Sequence, residues 1–200
     1  MLNLGFLASN NGSSLRAIVA AIEAGTLEAT ACIVVSNRRD APALAFADEH
    51  GIPAFFIPTR ADPESADATL ALALETAGAK LVILSGYLRK LGPRTLSAYG
   101  RRILNIHPAL LPRFGGEGMY GRRVHQAVAA AGVTLTGVTV HLVDDEYDHG
   151  QVVAQMELPL TPGDDAAAIE RKVTAAEPGF FVTVLQRLAK GELMLPTPRP

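Results

Sequence analysis

Asn105 and His107 carry the strongest indication of chemistry in this 200-residue sequence. They stand two positions apart in the segment ILNIHP, at the end of an apolar run, so in a β-strand both side chains would point to the same side. An amide that donates hydrogen bonds and an imidazole that can be protonated suit a carbonyl whose oxygen becomes negative during nucleophilic attack. The alternative is a strand-end histidine that only fixes the following turn.

A second candidate is the small polar loop SNNGSS at residues 9–14, between a predicted strand and a predicted helix. Backbone N–H groups and the positive end of a helix can hold a phosphate there, and Gly12 would let the backbone approach the anion closely. The loop is neither a Walker motif nor a GxGxxG dinucleotide fingerprint. The alternative is an ordinary turn in which Ser13 caps the helix.

The acidic run DDEYDHG at residues 144–150 joins two predicted strands. Most such runs are solvated turns, and a metal site that combines these carboxylates with His141 and His149 is disfavoured, because the run has no HExxH or EF-hand spacing. We expect no metal. His141 is interpreted as a packed strand residue, and His125 and His50 lie on predicted helices without evident partners.

Glu177 stands in the middle of a long predicted helix, directly before Pro178 and Gly179. A carboxylate beside a helix-breaking pair indicates a kink that faces a functional site.

Strands and helices must alternate to position these residues. Strands are predicted at 2–8, 29–35, 52–57, 80–85, 101–106, 134–143 and 151–160. Helices are predicted at 15–25, 41–50, 63–77, 122–131 and from Asp164 to about Lys190. The alternation favours an α/β fold with a mostly parallel sheet, and the short acidic connection between the last two strands favours an antiparallel pair near the C-terminus. The tail at 196–200 is expected to be frayed.

Composition limits the classes of function. A chain that is 48% hydrophobic can bury one substantial core, so a single domain over residues 1–200 is expected. A net charge of -2 gives no global attraction for nucleic acid or anionic membranes. No apolar stretch approaches the ~20 residues of a membrane span and no secretory signal is evident, which favours a cytoplasmic protein. The single cysteine, Cys32, is interpreted as core packing.

Four segments in order resemble the glycinamide ribonucleotide transformylases. They are SNNGSSL, GYLRKL, ILNIHPALLP and GVTVHLVDDEYDHG, and together with the spacing between them they cover nearly the whole chain. The segment around Asn105 and His107 is typical of the wider folate-dependent formyltransferase superfamily. The loop SNNGSSL and the absence of further domains favour the narrower family.

The resemblance implies a Rossmann-like fold with helices on both faces, in which residues 1–100 bind the nucleotide and residues 101–195 carry catalysis and folate binding. It implies that Asn105, His107 and Asp148 are catalytic, and that Asp148 favours the protonated form of the His107 imidazole. It assigns Gly12, Ser13, Ser14 and Glu177 to glycinamide ribonucleotide. It assigns Leu88, Arg89, Lys90, Leu91 and Asn105 to the folate.

By the same resemblance the reaction moves a formyl group from 10-formyltetrahydrofolate to the amine of glycinamide ribonucleotide. The folate is a cosubstrate, no metal is required, and the partners are small molecules, with a monomer or homodimer expected.

Some positions depart from the family pattern. Arg60 lies several residues before the place of a folate-binding arginine, so that role is not transferred to it. Pro178 replaces a histidine, His149 replaces a glycine, and the segment at 114–123 replaces a shorter substrate loop.

The alternative is a formyltetrahydrofolate deformylase, a hydrolase in which water replaces the amine. That family carries an additional domain before the catalytic one, whereas the first strand is predicted here from residue 2. We therefore expect the transferase.

Overall fold

The structure, a computed structural model, describes residues 1–196, so the end of the predicted frayed tail lies outside the described residues. The strands are β1 (Leu2–Leu7), β2 (Ala29–Ser36), β3 (Ala54–Phe56), β4 (Leu81–Leu84), β5 (Ile103–His107), β6 (Leu135–Leu142) and β7 (Val152–Pro159). The helices are α1 (Ser13–Glu23), α2 (Pro42–Glu49), α3 (Pro63–Thr76), α4 (Pro93–Ala98), α5 (Arg122–Ala130) and α6 (Ala166–Ala189).

The seven strands form one sheet in the order β3-β2-β1-β4-β5-β6-β7. The first five strands pair in parallel, and β6 runs antiparallel to both β5 and β7. The predicted α/β fold, mostly parallel with an antiparallel pair near the C-terminus, is confirmed. The strand order reverses between β1 and β4, and at such a point the loops leaving the carboxyl ends of the strands separate and open a crevice.

Helices cover both faces of the sheet because successive apolar residues of the central strands point to opposite sides. In β1, Leu4 and Phe6 pack with residues of α1, α2 and α6, whereas Leu7 packs on the other side with residues of α3. All three side chains are fully buried. Packing on both faces fixes the relative positions of the strand ends, and these ends carry the candidate functional residues.

One helix was not predicted from the sequence pattern. The pattern predicts no element between β4 and β5, yet α4 forms there, because Pro93 suits a first helical turn and a side chain from another helix caps it. The long final helix is present as predicted, and α6 continues on both sides of Pro178. No helix in residues 1–196 is long and apolar enough to cross a membrane.

Asp67 of α3 supplies the cap of α4. Its Oδ2 accepts the N–H of Arg94 at 2.8 Å, and its Oδ1 accepts the N–H and the hydroxyl of Thr95 at 3.1 and 2.6 Å. The carboxylate is only 8% exposed. A side chain at Gly92 would collide with it, because an added Cβ would lie 2.3 Å from the carboxylate carbon. The helix start is therefore built from tertiary contacts.

We expect Asp67→Ala to lower the free energy of unfolding by about 2 to 3 kcal/mol, because buried amides lose a charged acceptor. Asp62→Ala is the comparison, since Asp62 caps α3 through a single bond to the N–H of Ser65 and is exposed. That loss should be about 1 kcal/mol. Urea denaturation of both variants measures the difference, and equal losses would contradict the role of Asp67.

Candidate active site

A cavity of about 1350 Å³ opens at the carboxyl ends of the central strands. Its wall includes the polar loop at residues 9–14, Asn105 and His107 at the end of β5, and Asp148 beyond β6. The residues that the sequence singles out for anion binding and for carbonyl chemistry therefore line the same cavity, although they come from distant parts of the chain.

His107 is the last residue of β5 and is only 3% exposed. Its Nε2 lies 2.8 Å from the carbonyl oxygen of Phe114, and its Nδ1 lies 3.3 Å from Oδ2 of Asp148. Both ring nitrogens thus face acceptors, and an imidazole can donate to both only when both nitrogens are protonated. These contacts favour the imidazolium.

Burial acts in the opposite direction. It lowers the pKa of His107 below the ordinary histidine value, because the charged ring loses its hydration. The negative charge of Asp148 and the carbonyl of Phe114 raise this pKa and offset part of the effect, whereas His141 and His125 lower it further. The net direction is downward, so Asp148 is the main group that keeps the imidazolium accessible.

Asn105 is held by His141, which lies directly opposite it in the antiparallel pairing of β5 and β6. Nδ1 of His141 is 2.8 Å from the carbonyl oxygen of Leu142, and its Nε2 is 3.0 Å from Nδ2 of Asn105. Since a carbonyl only accepts, Nδ1 carries the proton and Nε2 accepts from the amide. Burial lowers the pKa of His141, which maintains this neutral form. The second amide N–H of Asn105 has no acceptor among residues 1–196 and is available to a ligand.

A glycine-containing loop after β5 wraps around the pair formed by His107 and Asp148. The N–H of Gly116 donates to Oδ2 of Asp148 at 3.0 Å, while the carbonyl of Phe114 accepts from His107. Phe114 and Asp148 both have positive φ, 61° and 55°, a conformation that is costly for residues other than glycine. Strained backbone of this kind persists where neighbouring groups fix it, and here those neighbours are the candidate catalytic side chains.

The acidic run at residues 144–150 places only one of its four carboxylates against the cavity, that of Asp148. Asp144 instead accepts the N–H of Glu146 at 3.0 Å and lies 3.1 Å from Nδ1 of His149. Most of the run is therefore a solvated turn. Within residues 1–196 no group of three or more His, Cys, Asp or Glu side chains is arranged to hold a metal ion.

The polar loop after β1 ends at Gly12, which has φ 66° and occupies the N-cap of α1 without a side-chain cap. The alternative in which Ser13 caps the helix is therefore wrong. In the described part of the chain, the N–H groups of Gly12, Ser13 and Ser14 have no hydrogen-bond acceptor, whereas that of Leu15 donates to Oγ of Ser85 at 3.0 Å. Unpaired amides at a helix start form a favourable place for an anion.

Glu177 lines the cavity from α6, one turn after Thr174. Burial raises the pKa of Glu177 to about 7. Its carboxyl group makes no hydrogen bond or ion pair with the described residues. The group is therefore available to a ligand and titrates near neutral pH.

The segment after β4 is divided between the cavity and the core. Leu88 and Arg89 line the cavity, and Lys90 and Leu91 do not. Leu91 is buried in the cluster between the sheet and α3, and the ammonium of Lys90 lies 5.7 Å from the ring centre of Tyr147. Two residues of the predicted folate segment can thus touch a ligand through their side chains, and the other two support the loop.

Sequence patterns do not single out two histidines that belong to this site. His141 orients Asn105, and its Nε2 lies 3.6 Å from Oδ1 of Asp148. His125 of α5 lines the cavity at 4% exposure, and its Nδ1 has no hydrogen-bond partner among the described residues. The register between β5 and β6 identifies His141, and that register cannot be deduced from local composition. His50, by contrast, pairs with Glu23 away from the cavity.

Comparison with known proteins decides the family. Residues 2–185 match the formyl transferase family. The chain belongs to this family. It is 32% identical to phosphoribosylglycinamide formyltransferase of Bacillus subtilis (strain 168), over 94% of this chain and 95% of that protein. It is 33% identical to the chloroplastic phosphoribosylglycinamide formyltransferase of Vigna unguiculata, over 96% of this chain but only 62% of that protein, so it spans less than two thirds of the plant relative.

Solved structures agree with this membership. The crystal structure of glycinamide ribonucleotide transformylase 1 from Symbiobacterium toebii superposes with a TM-score of 0.87 at 32% identity, covering 98% of this chain and 91% of that one. A formyltetrahydrofolate deformylase from Pseudomonas syringae pv. tomato superposes with a TM-score of 0.84 at 22% identity, covering 98% of this chain and 63% of that one. The latter likeness concerns the fold alone.

Proposed function

We propose that this formyl transferase moves the formyl group of 10-formyltetrahydrofolate to the amine of 5'-phosphoribosylglycinamide. The products are 5'-phosphoribosyl-N-formylglycinamide and tetrahydrofolate, a step of de novo purine biosynthesis. The observation that carries the proposal is one cavity lined by Asn105, His107 and Asp148 together with the unpaired amides at the start of α1. The folate is consumed, so it is a cosubstrate.

The proposal describes a cytoplasmic enzyme that acts on two small molecules as a monomer or homodimer. The chain would form a single domain, in which residues 1–100 bind the nucleotide and residues 101–195 supply catalysis and folate contacts. The reaction as written needs neither nucleic acid nor a membrane surface.

In the proposed reaction the substrate amine forms a bond to the formyl carbon, and the carbonyl oxygen becomes an oxyanion. The free N–H of Asn105 and a protonated His107 stabilise this charge at the stage where it develops. The C–N bond to the folate then breaks, and the folate nitrogen receives the proton that the amine gives up. Asp148 contributes by raising the pKa of His107.

His107 must change one partner for this step, because its Nε2 already donates to the Phe114 carbonyl. We propose that the formyl oxygen replaces this carbonyl when the substrates bind. Gly116 and Gly118, with φ 100° and 83°, give the loop the backbone freedom to withdraw.

The substrates would occupy opposite parts of the cavity. The phosphate lies at Gly12, Ser13 and Ser14, where the amides are unpaired, and the free carboxyl of Glu177 contacts the ribose or glycinamide part. The folate lies along the segment 88–91, with side-chain contacts from Leu88 and Arg89.

One assay tests the reaction and separates it from the hydrolase. Purified protein is mixed with 10-formyltetrahydrofolate, with and without glycinamide ribonucleotide, and the release of tetrahydrofolate is followed. The proposal requires release that depends on the amine. Equal release without the amine would identify a deformylase.

We expect Gly12→Val to raise the Michaelis constant for the nucleotide far more than that for the folate. A branched side chain would block the approach of an anion to the backbone amides. Gly51→Val is the matched control, because Gly51 also has φ 66° but lies away from the cavity with open space around it. Steady-state kinetics with each substrate varied in turn measure both constants.

Equal effects of Gly12→Val on the two substrates would count against the phosphate site. So would an equal nucleotide effect in Gly51→Val, since that result would trace the defect to backbone strain alone.

A further inference from the structure

A buried serine connects the loops that the proposed function assigns to the two substrates. Ser9 follows β1 and is 1% exposed. Its hydroxyl donates to Oδ1 of Asn37 at 2.6 Å and accepts the N–H of Leu88 at 2.8 Å. Asn37 directly follows β2, and Leu88 belongs to the loop after β4. One hydroxyl therefore joins loops from three strands that are adjacent in the sheet.

The directions of these bonds are fixed. A serine hydroxyl can donate one hydrogen bond, and Ser9 donates it to the amide oxygen of Asn37. A lone pair of the same hydroxyl oxygen therefore accepts the N–H of Leu88. The backbone N–H of Ser9 also donates to the carbonyl of Gly86 at 3.2 Å. The hydroxyl proton of Ser9 is thus engaged in a hydrogen bond within the protein. Ser9 binds the loop after β4 at two points, Gly86 and Leu88.

The connected loops lead to opposite faces of the sheet. The loop that contains Ser9 continues into α1, whose Leu15 and Ile18 pack on one face. The loop that contains Leu88 continues into α4, whose Leu96 packs on the other face. Because the two helices lie on opposite faces of the sheet, bonds across the strand ends link their loops directly at the cavity.

We infer that Ser9 is a positioning residue that couples the nucleotide site to the folate site and so aligns the amine with the formyl carbon. The inference rests on the proposed function. Without the hydroxyl, each loop keeps its own substrate contacts, and the N–H of Ser9 still donates to the carbonyl of Gly86, but Leu88 loses its hydrogen bond to the loop that leads into α1. Misalignment of about 1 Å in a bimolecular step reduces the rate strongly.

The test measures binding linkage, which loss of stability alone would not change selectively. The dissociation constant of glycinamide ribonucleotide is determined calorimetrically with and without saturating tetrahydrofolate, which lacks the formyl group and does not react. In the wild-type protein the folate should tighten nucleotide binding, and the ratio of the two constants gives the coupling. In Ser9→Ala the ratio should fall to about one, with a loss of roughly tenfold to a hundredfold in turnover number.

Ser85→Ala is the matched control. Ser85 is a buried serine directly after β4, and within residues 1–196 its hydroxyl accepts only the N–H of Leu15 at the start of α1. This variant should weaken nucleotide binding and keep the wild-type coupling ratio. Asn37→Ala leaves Ser9 in place and removes the amide oxygen that accepts the hydrogen bond from its hydroxyl. It should therefore reproduce the loss of coupling expected for Ser9→Ala.

The outcomes separate the two hypotheses. A wild-type protein that binds neither ligand would overturn the proposed function itself. If both ligands bind, a wild-type ratio of one, or an unchanged ratio in both Ser9→Ala and Asn37→Ala, would overturn the role of Ser9 and leave the proposed function intact. Equal loss of coupling in Ser85→Ala would also overturn it, because any bond across the strand ends would then suffice.

Discussion

Replacement of His107 by alanine should reduce the turnover number on the order of a hundredfold to a thousandfold, with nucleotide binding largely intact. The ring lies at the end of β5, and its removal takes away the group that we propose stabilises the developing negative charge. The proposed phosphate site lies on a different loop, at the start of α1, and keeps its unpaired amides in the variant. Single-turnover kinetics and calorimetric titration with glycinamide ribonucleotide measure the two effects separately.

His50→Ala is the control for this substitution. His50 also contacts a carboxylate, with Nδ1 2.6 Å from Glu23, but it does not line the cavity. It should leave the turnover number near the wild-type value. Turnover of His107→Ala within threefold of wild type would remove His107 from the reaction.

The second large effect is expected for Asp148→Asn. The substitution removes the negative charge that raises the pKa of His107, so this pKa, already lowered by burial, should fall further. The imidazolium is then depleted at neutral pH, and the rate should fall by up to about tenfold for each unit by which the pKa of His107 falls. Because the protonated form survives only at lower pH, the rate profile should move toward acid. Turnover from acid to alkaline pH, with NMR titration of the His107 ring, measures both shifts.

Asp144→Asn and Asp145→Asn make the same change of formal charge on the same loop. Neither carboxylate lines the cavity, and Asp144 is engaged with His149 on the surface, so both variants should be milder. An increase in the Michaelis constant for the folate in these two variants would not contradict the prediction. Equal rate losses in all three variants, or an unchanged His107 titration in Asp148→Asn, would exclude Asp148 from the mechanism.

The sequence was sufficient to predict the alternation of strands and helices, because apolar periodicity is a local property. It also predicted that Asn105 and His107 share a side of their strand, since alternation along a strand is independent of the rest of the fold. It did not predict α4, whose cap comes from Asp67, a residue of the preceding helix.

Which residues meet at the site could not be predicted from local sequence, because it depends on how distant segments pair in the fold. His141 reaches Asn105 because β5 and β6 pair in one particular antiparallel register. The four carboxylates of the acidic run are equivalent in composition, and only the backbone of the folded loop turns Asp148 toward the cavity. The resemblance to a family selected the same aspartate, and its catalytic role stays a prediction.

The free carboxyl of Glu177 has a thermodynamic consequence for any ligand that meets it. With a pKa of about 7, both the protonated and the ionised carboxyl are populated near neutral pH. A ligand that interacts differently with the neutral and the ionised carboxyl must take up or release a fraction of a proton when it binds. The heat of binding then depends on the ionisation enthalpy of the buffer, and the number of protons exchanged can be obtained by titration in two buffers. The affinity of the protein for such a ligand therefore changes with pH in the neutral range.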